Sequence, residues 1–131
     1  MVIFSLNVQS DPKVVVVNNI RNTAAASEIW TIGKTKIAFQ TIKYQGKNVL
    51  IEKKCAISKK CRSFNVLQEK IKFPKRLQVH GGASPHSLFC RKVLSAKIVV
   101  LADRFGHQNS FCLFKDRSLV DAYSLYQFFK R

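Results

Sequence analysis

Residues 84–126 most constrain what this chain can become. They open on Ser84-Pro85-His86-Ser87-Leu88-Phe89-Cys90, and their second half runs from Phe111-Cys112-Leu113-Phe114 through Ser118 to Tyr126. Ser84 is a good helix N-cap and Pro85 suits the first helical position. A helix is therefore expected to run to about Val93, with Leu88, Phe89 and Val93 facing inward. Residues 97–102 read as a strand, 104–109 as a polar turn, and 110–114 as a strand pairing back. Ser118 is expected to cap a last helix, with Asp121 three positions on resembling a capping box. Leu119, Ala122, Tyr123 and Tyr126 lie at helical spacing, with Phe129 nearby. Each half of the stretch thus fixes a cysteine to a helix or a strand, as in a small stapled α-β-β-α module.

The chain holds four cysteines, Cys55, Cys61, Cys90 and Cys112, which allow three connectivities. Two local pairs are natural. Cys55 and Cys61 bracket a basic loop between two strand-like runs, and Cys90 and Cys112 bracket the helix end and the hairpin. Two disulfides would require an oxidising compartment. Two alternatives stand beside this reading: four reduced cysteines serving as small buried groups, or a zinc site. The second lacks the close cysteine spacing and the paired histidines of zinc modules.

With 131 residues the chain can form one modest domain or two very small ones in contact. The expected class is α+β. An antiparallel β-rich basic region over residues 1–81 precedes the α-β-β-α module over residues 82–131, the two packed as one compact unit. In the first region, residues 2–8 and 13–20 read as strands with a turn at Asp11-Pro12, and residues 22–27 as a helical turn or tight connection. Residues 28–32 follow as a further β-rich run. Residues 36–44 and 48–52, joined by Gln45-Gly46-Lys47, form the best hairpin. Residues 64–73 suit a strand or a short helix, and Pro74 blocks simple continuation of either. Residues 76–80 are another candidate strand, and Gly81-Gly82 a hinge.

Charge limits the partners. There are 23 basic and 7 acidic residues, a formal net charge of +16, which favours anionic polymers, acidic proteins, nucleic acid or anionic membrane surfaces. Residues 51–81 are densest, with nine basic and two acidic residues. The candidate binding patch is Lys53, Lys54, Lys59, Lys60, Arg62, Lys70, Lys72, Lys75 and Arg76. No apolar run approaches the ~18 residues of a membrane span. Residues 1–6 are too short for a signal-peptide core and have no basic residue before it. Either the chain works in the cytosol, or Met1 stands before a mature form trimmed of its signal.

Two Phe-Cys pairs, the Ser-Pro helix cap, Asp116 and the aromatic Ala122-Tyr123 helix resemble the bacterial domain of unknown function 333, a small cysteine-containing domain whose members carry a hemolysin label. The resemblance covers about a third of the chain. It departs from the family pattern at Leu94-Ser95, where Gly-Gly is usual, at Lys115 for Pro, at Arg117 for Gly, and at Val120, where many members carry a further cysteine. The resemblance implies an exported or envelope-associated protein and carries over no lytic activity.

No catalytic set stands out. His80, His86, His107, Asp103, Asp116 and Asp121 are the titratable candidates, and no motif joins them. Asp116 and Asp121 suit turn and helix-start electrostatics. Gly33-Lys34-Thr35 lacks the upstream glycine of a phosphate loop. Cys61, beside Lys59, Lys60 and Arg62, is the thiol that local charge would activate if reduced. The leading expectation is an exported, non-enzymatic binding protein without cofactor or metal, periplasmic or secreted. It would use its basic surface on an anionic envelope polymer or an acidic partner. A cytosolic nucleic-acid binder would add Tyr44, Phe64 and Phe73 as stacking groups. A small secreted toxin or hydrolase is the third expectation. The tail aromatics Tyr123, Tyr126, Phe128 and Phe129 suit core packing or a peripheral membrane contact.

Overall fold

A computed structural model describes residues 14–16 (as backbone), 27–75, 77 and 84–130. The expectations for residues 2–8, Asp11-Pro12, Gly81-Gly82 and most of residues 22–27 and 76–80 lie outside them. Seven strands are described: β1 (Val14–Val16), β2 (Glu28–Ile32), β3 (Thr35–Tyr44), β4 (Lys47–Glu52), β5 (Lys97–Asp103), β6 (Gln108–Leu113) and β7 (Leu119–Asp121). Helix α1 (Lys53–Ser58) and α2 (Arg62–Asn65) follow β4, and α2 tightens into a 3-10 turn at Val66–Gln68. Helix α3 (Pro85–Leu88) widens into a π turn over Phe89–Val93, and α4 (Ala122–Phe129) follows β7.

Strands β2 to β7 close an antiparallel barrel in the order β2-β3-β4-β7-β6-β5 and back to β2. The ten residues of β3 reach two neighbours on one edge, β2 at Thr35–Phe39 and β1 at Ile42–Tyr44, and β4 on the other. Two closures hold the ring shut. One is Ile51 opposite Val120, between β4 and β7; the other is Trp30 opposite Asp103 and Thr31 opposite Ala102, between β2 and β5. Strands from both sides of Gly81-Gly82 therefore join in one closed sheet, three from each side.

Alternation along the strands divides the apolar residues into two clusters. Trp30, Phe39, Leu101, Phe111 and Leu119 fill the barrel. The Phe39 and Phe111 ring centroids are 4.8 Å apart, and Trp30 meets Phe111 edge-on at 5.2 Å. The opposite faces carry Ile42, Tyr44, Val49, Ile51, Cys112 and Val120, which pack under the helices with Cys55, Phe64, Phe89, Leu125 and Phe128. Burial on both faces explains the continuous apolar runs.

The expected connectivity of both cysteine pairs is present, with Cα–Cα separations of 5.3 Å for Cys55–Cys61 and 5.7 Å for Cys90–Cys112. The second rivets the π turn to the outer wall of β6. With a sequence separation of 22 between its cysteines, loop-closure entropy gives it about 3 kcal/mol.

Ser84 accepts the Ser87 amide at 3.2 Å and Pro85 opens the helix, as its sequence requires. Two expectations change. The Cys55–Cys61 segment is not a loop between strands: it spans the end of α1 and the turn into α2, because Cys55, Ala56 and Phe64 must turn one face onto the barrel wall. Ser118 does not cap the last helix. Leu119 is needed inside the barrel and Val120 outside it, so residues 119–121 form β7, and the module gains a third strand between its helices. Asp121 takes the N-cap role, accepting the Ser124 amide at 2.9 Å. Leu125 and Phe128 face inward from α4, whereas Tyr123 is exposed.

Arg117 sits at φ 71°, in the left-handed region that costs a side chain ~1 kcal/mol. Arg117→Gly is expected to raise stability by up to about 1 kcal/mol in urea unfolding. Asp121 gives a second expectation. Its burial pushes the carboxyl above the ordinary range against the opposing Ser124 bonds, and its Oδ1 has no hydrogen-bond partner. A raised acid favours the fold below its unfolded pKa, and that contribution is lost as pH rises through the folded value. Asp121→Asn keeps an acceptor for the cap, so it should melt higher than the parent at neutral pH and lose that advantage below pH ~4.

Candidate functional site

The expected basic patch divides into two regions in space. Lys53, Lys54, Lys59, Lys60 and Arg62 lie on α1, α2 and the turn between them. The Lys59 backbone closes α1 at φ 59°, donating its amide to the Cys55 carbonyl at 2.9 Å. Lys54 and Arg62 have acidic partners among the described residues. Lys54 Nζ is 3.4 Å from Glu52. Arg62 forms a two-pronged pair with Glu69, whose outer contact, Nη2 to Oε1, is 3.3 Å. That hydrogen bond raises the guanidinium pKa against the effect of burial. The Arg62 side chain also lies 5.9 Å over the Phe114 ring.

Lys70 and Lys72 belong to a different setting. Past the 3-10 turn the chain runs without regular structure, and here these two side chains are exposed. They line a groove of ≈ 800 Å³ together with Lys47, Lys130, Phe128 and Phe129. Ile71, also in the groove, packs against the core under the helices. Lys47 opens β4, just past the β3–β4 turn. Its ammonium accepts nothing and donates to the Phe128 carbonyl at 2.9 Å and the Lys130 carbonyl at 3.4 Å. It thereby satisfies the open end of α4, where a cation is favoured. Lys130 lies 5.6 Å over Tyr126. Glu69 is the acid in the groove lining, and Arg62 holds it from the side. The result is four ammonium groups around a half-apolar floor. Lys75 is exposed but does not line this groove, and Arg76 lies outside the described residues.

Lys47 and Lys130 were not legible as site residues. They are 83 positions apart, and only barrel closure brings them beside Lys70 and Lys72. A weak signal existed in a lysine at the end of an aromatic helix. The aromatic residues expected for base stacking go elsewhere: Tyr44 and Phe64 are fully buried, and Phe73 packs between Phe89 and Tyr126 at 5.3 Å from each.

The remaining candidates have local duties. Asp103 accepts the Phe105 and His107 amides, each at 2.9 Å, and its other oxygen lies 3.1 Å from the His107 ring. His86 meets Ser84 at 3.2 Å and the Tyr123 ring edge-on. His80 lies outside the described residues. Gly33-Lys34 forms the β2–β3 turn. Among the described residues, no group of three His, Cys, Asp or Glu side chains could hold a metal ion, and no helix is long and apolar enough to cross a membrane.

Asp116 links the two halves of the chain. It accepts the Arg62 amide at 2.7 Å and both the Ser118 amide, at 3.0 Å, and the Ser118 hydroxyl, at 2.5 Å. The Ser118 oxygen in turn accepts the Ser63 amide at 3.0 Å. Burial raises the Asp116 carboxyl, but these donors outweigh it and hold the group below the ordinary range. No family model, curated protein or solved structure matches this chain.

A depressed acid stabilises the fold above its unfolded pKa, and the effect is lost as pH falls through the folded value. Asp116→Ala should therefore cost about 1–2 kcal/mol at neutral pH. Urea unfolding should show that difference narrowing in acid, below pH ~3.8.

Proposed function

We propose that this protein is an exported, non-enzymatic binding module whose lysine groove takes an anionic chain. The chain would be an envelope polymer bearing phosphates or carboxylates, or an acidic segment of a partner protein. One observation carries the reading: Lys47, Lys70, Lys72 and Lys130 converge on one groove while Arg62 engages its acidic residue. Cations from three separate segments, above Phe128 and Phe129, suit a ligand that alternates charge with apolar surface. A net charge of +16 would gather such a ligand from a distance.

Two further observations support export. The disulfides are compatible with an oxidising compartment, and both join elements on which the barrel wall depends. The second is the resemblance to the hemolysin-labelled domain, which implies an exported or envelope-associated protein. Ser95 and Arg117 stand where that pattern has glycine, and both occupy left-handed conformations, at φ 56° and 71°. A nucleic-acid ligand is less well served, because Tyr44 and Phe64 are unavailable for stacking.

Titration calorimetry with polyglutamate and with a polyglycerol phosphate tests the proposal. The double variant Lys70→Glu/Lys72→Glu should lower affinity roughly tenfold or more, equivalent to about 1.4 kcal/mol. Lys53→Glu/Lys54→Glu should change it far less, and binding should weaken steeply with added salt. Equal losses in the two doubles would reject the groove as the site. Four free thiols in protein taken from its native compartment would reject export.

A further inference from the structure

Among the described residues, strand β5 is only partly paired on its β2 side. The β6 side is paired throughout, from Lys97 opposite Leu113 to Ala102 opposite Gln108. On the β2 side, the register partners among the described residues are Thr31 for Ala102 and Trp30 for Asp103. Strand β2 then turns away at Gly33 into β3. Residues 97–101 of β5 continue past it.

The direction of the backbone groups can be read from two bonds. The Asp103 amide donates to the His107 carbonyl at 2.9 Å, so odd-numbered residues of β5 pair toward β6. The Ala102 carbonyl accepts the Thr31 hydroxyl at 3.3 Å, so even-numbered residues face the β2 side. Ile98 and Val100 therefore present their N–H and C=O groups to an edge that no described strand pairs. The flanking side chains agree. Ile98 packs against the core under the helices, while Val100 is 50% exposed. Beside the start of the strand lies an open recess of ≈ 700 Å³ lined by Arg91, Ser95, Ala96, Lys97 and Ile98, with two cations and no acid.

We infer that this edge is a second interaction site, which adds an extended acidic segment of a partner protein as a new strand beside β5. Main-chain bonds to Ile98 and Val100 would supply register, and Arg91 and Lys97 would select carboxylates on the incoming strand. The occupant is not a second copy of this chain. Edge-to-edge pairing of two copies would bring together two molecules of net charge +16, each with Arg91 and Lys97 beside the edge. Lysine on an edge is a recognised device against such self-pairing. This inference stands apart from the lysine groove, which lies on other elements.

Hydrogen exchange resolved by residue tests the edge without any ligand. The Ile98 and Val100 amides should exchange at least roughly tenfold faster than those of Val99 and Leu101. Equal protection would mean that the edge is already covered, and would overturn the inference. The probe for the occupant is a short synthetic peptide of alternating Glu and Val. It should protect Ile98 and Val100 on binding. The same peptide N-methylated along one edge, with its charge unchanged, should lose roughly tenfold or more in affinity. Equal binding by the methylated peptide would reduce the contact to charge attraction and reject strand addition. Val100→Pro removes an edge donor without touching the β6 pairing, and should abolish the protection at Ile98 that Val100→Thr preserves. Should the proline variant fail to fold, Arg91→Glu/Lys97→Glu should lose binding while Lys70→Glu/Lys72→Glu retains the edge protection. A dimer seen by light scattering, with Ile98 and Val100 protected in the absence of peptide, would assign the edge to self-association instead.

Discussion

The ring contact between Phe39 and Phe111 is the point on which the rest of the molecule depends. Both rings are fully buried at the centre of the barrel, and the sheet must close to keep them from water. Burying two such rings is worth about 2–3 kcal/mol each. Closure has a geometric cost, because β3 must run ten residues and serve three neighbours. The helices then cover the outer wall, whose residues are as apolar as those inside. Disulfides hold two of those covers in place.

The same contact lies near an internal relationship between the two halves. Phe39 stands opposite Glu52 across one hairpin, and Phe111 stands opposite Asp121 across the other. Each acid ends its strand and is followed at once by a helix, α1 or α4. Ile51 and Val120, the residues just before those acids, pair with each other where the halves meet. Two strand–strand–strand–helix units thus face one another antiparallel. The acids have diverged in use: Glu52 reaches across the closure to the Leu119 amide at 3.0 Å, whereas Asp121 caps its own helix.

Much of this was legible where local chemistry decides conformation. The Gln45-Gly46-Lys47 hairpin, the Ser84-Pro85 helix start, the 97–102 strand and the two cysteine pairs follow from residues near one another in the chain. Barrel closure could not be read this way. It rests on pairings between strands about 70 residues apart, and such pairings leave no short-range signal. The error at Ser118 has the same origin. Ser118 and Asp121 fit a capping box, but Leu119 and Val120 had tertiary duties on opposite faces of a sheet that the local pattern does not contain. The groove was half legible. Lys70 and Lys72 stood out by charge density, whereas Lys47 and Lys130 join them only because α4 packs against β4, where the Leu50 amide meets the Ser124 hydroxyl at 3.1 Å.

The brevity and position of β7 also set the order in which this protein can assemble. Its three residues supply the only register pair with β4 among the described residues. A chain emerging from a ribosome or a translocation pore holds residues 28–68 long before residue 120 arrives. During that interval the β2–β4 meander and the Cys55–Cys61 helical turn that follows it can form, but the barrel interior stays open. Long-range closure of this kind is slow, and it leaves apolar strands unprotected while it waits. For such a chain the last strand acts as a latch: seating it is what seals the aromatic interior.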